Sequence, residues 1–430
     1  MITSAFINIW DKRTGAIAWN ADTGLASFEF EPAFIRQGLD IAPVKMPLTN
    51  APGRIFSFSE LRDSQTFRGL PGLLADVLPD RFGNTLINAW LARAGRAENS
   101  MNPVEVLCFI GKRGIGALEF EPVVPKSNDA ATKIEVDSLV DIAEAILTGR
   151  QNFHTTYPEH EEKALMDILK IGTSAGGARA KALIAYNETT GEIKSGQADA
   201  PEGFTHWLLK LDGVHDTQFG ASKGYGRVEM AYHLMAVDCE IEMTECRLLE
   251  ENGRAHFMTK RFDRTAGHEK LHMQSFCGIQ HFDFNDVGLY SYEQLFQTMR
   301  TLRLDYPQAE QLYRRMVFNV LARNCDDHTK NFAFLMDKTG QWRLSPAFDV
   351  CHAYRPGSLW VSQQSLSVNG KRQGINRDDL LEVARQMNVK KANNIINQVL
   401  ASLAKWAEFA GKCHVDEPLQ QAIGKTLLSV

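Results

Sequence analysis

The sequence predicts an α+β fold in which a mixed α/β region comes first and a mainly helical region follows. Short runs that alternate every second residue dominate the first part, whereas apolar residues at helical spacing dominate beyond residue 265. At 430 residues the chain exceeds one simple core and suits two or three lobes around a cleft. Its 44% hydrophobic and 23% charged content is that of an ordinary globular protein rather than a disordered one.

Residues 1–32 carry the runs FINIW, AIAWN and LASFEFEP, punctuated by Thr14-Gly15 and Thr23-Gly24, which predicts a small β-meander. In PGLLADVLPDRFGNTLINAWLARAG, Leu86, Ile87, Trp90 and Leu91 stand at helical spacing, with Pro79-Asp80 as the start signal. GALEFEPV predicts a further strand, and the polar stretch VVPKSNDAATK marks a boundary near residue 125. The first domain is therefore expected over 1–125.

A second domain is expected over 126–264. It opens with two helical patterns, SLVDIAEAILTG and EHEEKALMDILKIG, which lead into the glycine-rich GTSAGGARA and the strand KALIAY. The strand THWLLKL, a helix from near Val228 and a strand pair ending in HFMTKRFDR complete it. Residues 265–430 are expected to form a helical lobe, with DDLLEVARQMN and ANNIINQVLASLAKWAEFA among its helices. The chain has no internal repeat and no low-complexity tract.

A formal charge of -5 and a pI near 6.2 exclude a broad basic face that holds nucleic acid by counterion release, so DNA contact is expected only locally or through a partner. The seven cysteines are scattered without a C-x-x-C pair, which fits reduced thiols rather than a disulfide framework. The N-terminus lacks an apolar signal core, and no run reaches the roughly 20 apolar residues of a membrane span. A soluble cytoplasmic protein is expected.

The chemistry concentrates between Asn324 and Asp349, in NCDDHTKNFAFLMDKTGQWRLSPAFD. Asp326 precedes Asn331 by five positions, the Asp-x-x-x-x-Asn spacing of a protein-kinase catalytic loop. A β-hairpin is expected next, with Phe332, Phe334 and Met336 on one face, a turn at Asp337-Lys338-Thr339-Gly340, and Trp342 and Leu344 on the return. Asp349 then stands where a kinase places its metal-binding Asp, so base, Asn, hairpin and Asp occur in the order of a phosphoryl-transfer site. Asp326 is the candidate base, Asp327 its rival or a turn residue. His328 assists phosphate charge, coordinates a metal, or pins the loop by a backbone hydrogen bond. Asn331 and Asp349 suit Mg²⁺, which takes few carboxylates plus phosphate oxygens; a zinc site built on an Asp-Asp-His cluster with His352 and Cys351 nearby is the other reading, although the spacing matches no common zinc pattern.

Upstream, Gly172, Gly176 and Gly177 allow close backbone approach to phosphate, though no Walker A pattern is present, and a plain turn is the alternative. Lys181 lies either beneath the phosphates or at a solvated strand edge. Lys210 ends an apolar strand and either contacts phosphates or snorkels to solvent; Glu229 on the next helix is the candidate to hold it, or an exposed helix-end carboxylate. Lys260 to Phe262 occupy a hinge position, where Phe262 either meets an adenine or is core. This order is that of a bilobal protein-kinase-like fold with the nucleotide between lobes.

The whole chain resembles the HipA family of bacterial serine/threonine kinases, the toxins of type II toxin-antitoxin pairs. FRGLPGLLADVLPDRFG, GKRGIGALEFEP, GTSAGGARAKA, HWLLKL, KRFDR, NCDDHTKN and SPAFDV carry the likeness, in order. The resemblance implies a HipA-like fold and an ATP site made of Gly176, Gly177, Ala178, Arg179, Ala180, Lys181, Lys210, Lys260, Arg261, Phe262, His328, Thr329, Lys330, Asn331, Phe348 and Asp349. It implies catalysis by Asp326 with His328, Mg²⁺ on Asn331 and Asp349, and autophosphorylation of Ser174. Lys260 replaces an acidic residue of some relatives. The implied partners are a helix-turn-helix, HipB-like antitoxin, DNA through that antitoxin, and a protein substrate of the aminoacyl-tRNA synthetase class. A small-molecule phosphotransferase and a non-catalytic, ATP-binding corepressor are the rival functions.

Overall fold

The computed structural model describes residues 2–122, 139–140, 142–144, 172, 179–196, 200–216, 220–221 and 224–430. The two helical patterns expected between residues 138 and 172 fall almost wholly outside these. The chain forms two compact units. The first takes Met1–Ile41, Met46–Gly226 and Cys246–Met273, and the second Ala42–Lys45, Arg227–Glu245 and Gln274–Val430.

Among the described residues, the first unit contains two five-stranded antiparallel sheets. Strands β1 (Ser4–Ile9), β2 (Lys12–Asn20), β3 (Leu25–Phe30), β4 (Ile55–Phe56) and β5 (Leu118–Pro122) make one, in the order β4-β3-β2-β1-β5. Its meander follows the expected alternation: Ala5, Ile7 and Ile9 of β1 and Ala26, Phe28 and Phe30 of β3 are buried on one face. The first turn differs from the expectation. It falls at Trp10 and Asp11, which take positive φ of 48° and 61°, while Thr14-Gly15 lies inside β2. Gly15 is needed there for closeness, not turning, since a Cβ would stand 2.2 Å from the Glu29 carbonyl oxygen of β3. Short helices α1 (Pro32–Ile35) and α2 (Gly72–Ala75) precede α3 (Arg81–Arg93), which starts where Pro79-Asp80 signals it: the Asp80 side chain accepts the Gly83 N–H. Helix α4 (Pro103–Ile110) is capped in the same way by Asn102.

The second sheet uses β6 (Lys181–Tyr186), β7 (Ile193–Ser195), β8 (Thr205–Lys210), β11 (Cys246–Glu251) and β12 (Arg254–Lys260) in the order β11-β12-β8-β6-β7, and a small pair, β9 (His215–Asp216) and β10 (Gly220–Ala221), stands apart. Strand β6 is flanked on both sides, and its first five residues are buried. Its pairing with β8 sets Lys181 opposite Lys210, and β8 with β12 sets Lys210 opposite Phe257.

Helix α5 (Tyr225–Asp238) carries Val228, Tyr232 and Met235 into the core of the second unit. After the short strand β13 (His272–Ser275) come α6 (Phe276–Gln280), α7 (Tyr292–Thr301) and α8 (Tyr306–Leu321), then the hairpin β14 (Ala333–Met336) and β15 (Trp342–Leu344). Ser291 and Gln294 close a capping box on α7. On α8, Leu312, Met316 and Val320 recur at helical spacing and are buried, which seats the helix under the loop that follows it. Helices α9 (Arg377–Met387), α10 (Ala392–Leu403), α11 (Trp406–Lys412) and α12 (Glu417–Gly424) complete the unit. All seven cysteines lie among the described residues, and none is in a disulfide. Among the described residues no helix is long and apolar enough to cross a membrane.

Candidate active site

Helix α8 ends at Leu321, and Arg323 turns the chain with a φ of 57° while its guanidinium lies 3.8 Å from the Tyr354 ring centroid. The segment that follows is held from outside: Cys325 N–H donates to Ala353 O at 3.0 Å, and Thr329 Oγ1 donates to Phe282 O at 2.9 Å. Within it the Asn331 amide nitrogen donates to Asp326 O at 2.7 Å. That bond fixes the spacing of the two residues and commits the Asn nitrogen, which leaves its side-chain oxygen as the atom able to ligate a cation. The Asp326 carboxylate is 47% exposed, and His328 Nε2 stands 3.9 Å from it. His328 packs on Phe284, ring centroids 5.1 Å apart, so its ring is oriented by packing as well.

Asp327 has the opposite environment. It is 1% exposed and accepts Tyr292 Oη at 2.7 Å, Gln364 Nε2 at 3.0 Å and Ser365 N at 2.7 Å. Burial pushes its carboxyl up to about 6, and the three donors pull it partly back. A directed chain feeds it: Asn324 Nδ2 donates to Asn319 Oδ1, Asn319 Nδ2 to Tyr292 Oη, and Tyr292 Oη to Asp327. A carboxylate enclosed in this way is an anchor of the loop. Of the two adjacent acids, Asp326 is the one that presents an accessible carboxylate.

The hairpin follows as expected, with Phe334 opposite Leu344 and Met336 opposite Trp342. Its turn is fixed by Asp337 Oδ1, which accepts Thr339 N at 2.8 Å and Gln341 N at 3.2 Å. All four residues of β14 are buried, so both faces of that strand are covered. Asp349 then takes a left-handed φ of 56°, an arrangement that costs a non-glycine residue roughly 1–2 kcal/mol. Asn331, Phe348 and Asp349 line one recess, together with Asp327, Asn324 and Arg315. Asn331 and Asp349, both lining that recess, carry an amide oxygen and a carboxylate, which are hard oxygen donors of the kind Mg²⁺ takes. At the position of the zinc alternative, His352 Nε2 is hydrogen-bonded to Thr426 Oγ1 at 3.0 Å, and among the described residues there is no group of three or more His, Cys, Asp or Glu placed to hold a metal.

In the first unit, Ser174, Gly176, Gly177 and Ala178 lie outside the described residues; Arg179 and Ala180 are described, with the Arg179 guanidinium 4.6 Å from the Tyr225 ring centroid. Lys181 is not at a solvated strand edge. It is buried in a strand with neighbours on both sides, 3.8 Å from Asp80. Lys210 is half-buried, its ammonium 5.8 Å from the Phe257 ring centroid. Glu229 is a buried residue of α5 rather than an exposed helix end. At the position expected as a hinge, Lys260 ends β12 with its ammonium 5.7 Å from the Trp207 ring centroid, and Phe262 is half-buried. Arg261 is buried: its guanidinium donates twice to Asp263, at 2.9 and 2.7 Å, and once to Gly114 O at 3.2 Å. Asp263 also accepts Gly116 N at 2.7 Å. Although burial works to raise its carboxyl, Arg261 and Arg264 hold it well below the usual range.

Two family models cover this chain: the HipA N-terminal domain matches residues 5–121, and the HipA-like C-terminal domain matches residues 173–407. The chain belongs to the HipA family. The HipA of Shewanella oneidensis MR-1, solved in a complex with HipB and operator DNA, shares its fold at 15% identity with a TM-score of 0.68, covering 98% of this chain and 94% of that one. A Helicobacter pylori proinflammatory kinase, CtkA, matches 52% of this chain and 88% of its own at 13% identity and a TM-score of 0.34. No curated protein matches the chain.

In this HipA family member the contiguous motif around Asp326 is visible from spacing, whereas its supports are not. Tyr292, Asn319, Gln364 and Ser365 reach Asp327 or its partners from elements separated from it in sequence. Arg315 lines the recess, donates to Ser345 O at 2.6 Å, and is lowered to about 10 by burial, with Glu242 acting the other way. On α8 it carries no signal beyond a basic residue in an apolar run. Asp80 is legible as a helix start but not as a partner of Lys181.

Proposed function

We propose that this HipA family protein is an ATP- and Mg²⁺-dependent serine/threonine-protein kinase that acts as the toxin of a toxin-antitoxin pair. The observation that carries the kinase chemistry is the Asn331 amide bonded to the Asp326 carbonyl, with Asp326 itself exposed. In this reading Asp326 accepts and aligns the proton of an acceptor hydroxyl, a contribution of roughly 10²–10⁴-fold for a positioned acid–base group. His328, 3.9 Å away, would lie beside the transferring phosphoryl group and is oriented by Phe284. Asn331 and Asp349 would hold Mg²⁺, which when bound offsets the charge of the phosphates.

ATP would be taken by the stretch Gly176–Lys181, Lys210, Lys260–Phe262, His328–Asn331, Phe348 and Asp349. Two strand lysines opposite each other in the second sheet support an anionic ligand there. Ser174 is proposed as the autophosphorylated residue, an aminoacyl-tRNA synthetase as the class of protein substrate, and the cytoplasm as the place of action. The division into 1–125, 126–264 and 265–430 belongs to the same reading. A HipB-like helix-turn-helix antitoxin is proposed as partner, with DNA reached through it, because the Shewanella relative was solved with HipB and operator DNA.

Incubation with labelled ATP and Mg²⁺, alone and with cell lysate fractionated by molecular weight, tests the proposal. Label on Ser174 and on a protein band, lost in Asp326→Ala, is the expected result. Label only in the small-molecule fraction would make the protein a small-molecule phosphotransferase, and no transfer at all would refute the kinase reading.

A further inference from the structure

Lys181 and Asp80 come from distant parts of the first unit's sequence, yet their charged groups stand 3.8 Å apart with side-chain exposures of only 3% and 11%. A lysine buried to that degree keeps its proton only near an anion, because desolvation disfavours the charged form. Asp80 is itself fixed in place. As the N-cap of α3 it accepts Gly83 N–H on Oδ1 at 3.3 Å, while Oδ2 is the oxygen nearest Lys181.

The same helix meets the other end of the glycine-rich segment. A Cβ on Gly172 would lie 2.5 Å from Leu86 Cδ1 and 3.1 Å from Phe82 Cε1, so the chain packs closely on α3 here and a larger residue would make those side chains shift. Gly172 and Lys181 bracket the glycine-rich segment in sequence, and both are seated against the first turns of α3. Lys210 is paired opposite Lys181, and directly opposed residues of an antiparallel pair project to one face. Two ammonium groups on one face repel, and a carboxylate beside one of them offsets that repulsion.

We infer that Asp80 is a positioning residue for nucleotide phosphates: it keeps Lys181 charged and aimed, and so makes the N-terminal sheet module part of the nucleotide site. The inference rests on the kinase reading above and deepens it. Its consequence is that the segment matched by the N-terminal family model takes part in nucleotide binding, and whatever moves α3 alters nucleotide affinity.

The test is calorimetric titration of the full-length protein with Mg²⁺ and a non-hydrolysable ATP analogue between about pH 7 and pH 9, for the parent, Asp80→Asn and Asp80→Asn/Lys181→Arg. Asparagine keeps the helix cap and removes the charge. Asp80→Asn is expected to weaken binding about ten-fold, with a loss that grows as pH rises and Lys181 gives up its proton, whereas the parent stays flat. The added Arg, which remains charged without help, is expected to restore binding to about three-fold of the parent. Binding by Asp80→Asn within about two-fold of the parent, with the same pH dependence, overturns the inference alone. So does a double variant as weak as the single one. A parent that binds no nucleotide overturns both the inference and the kinase reading.

Discussion

Replacing Asp327 by asparagine should change how stability depends on pH by a calculable amount. In the folded chain the carboxyl titrates at about 6 because it is buried, against 3.8 for an ordinary aspartate. The folded value is raised, so this group's contribution to stability is complete below the unfolded value and is lost as pH rises through about 6. A difference of roughly two pH units corresponds to about 3 kcal/mol over the full range, and to roughly 1–2 kcal/mol between pH 5 and pH 8. The groups that bear on Asp327 are Tyr292, Gln364 and Ser365 as donors, Cys325 near it in the chain, and Arg372 by its charge. The amide introduced by Asp327→Asn does not titrate, and the other groups remain in both proteins. Urea unfolding of parent and Asp327→Asn at the two pH values is the assay. The parent should gain roughly 1–2 kcal/mol relative to the variant on going from pH 8 to pH 5. A stability difference that stays the same at both values would refute the claim that an ionised Asp327 is held in the loop against the cost of its burial.

Three further outcomes are expected. Asp349→Ala should be less stable than Asp349→Gly by about 1 kcal/mol in denaturant melts, since only glycine relieves the left-handed φ of 56°, while both lose the proposed Mg²⁺-dependent phosphoryl transfer. Asn331→Asp keeps an oxygen donor but removes the amide that binds Asp326 O, and should lower kcat about 100-fold in a transfer assay. Gly15→Ala places a methyl 2.2 Å from the Glu29 carbonyl and should lower stability by about 1–3 kcal/mol, read as a lower Tm with unchanged nucleotide binding.

The features legible in the sequence are those set by neighbours in the chain. The meander, the Asp80 start of α3 and the hairpin after Asn331 depend on a few successive residues, and their spacing reveals them. The first turn is not where Thr14-Gly15, with its turn chemistry, signals one: the chain turns at Trp10 and Asp11, and nothing in the side chain of a Trp favours positive φ. There the contact of Gly15 with β3 decides the register. The Tyr292, Gln364 and Ser365 bonds to Asp327 and the Asp80 pair with Lys181 join residues whose proximity only the folded chain creates. No local pattern encodes them.

The pair Asp326 and Asp327 shows why a motif alone leaves the base unassigned. Two identical side chains, adjacent in sequence, differ by environment: one is 47% exposed, the other 1% exposed with three donors on its oxygens. A carboxylate that orients an acceptor hydroxyl must have an accessible oxygen, and those of Asp327 are committed to Tyr292, Gln364 and Ser365. Conversely, an anchor must resist movement, and the directed chain from Asn324 through Asn319 and Tyr292 allows Asp327 only the acceptor role. Exposure on one side of the chain thus depends on enclosure on the other: the buried acid holds the loop, and the loop's bond from Asn331 holds the backbone of the exposed one.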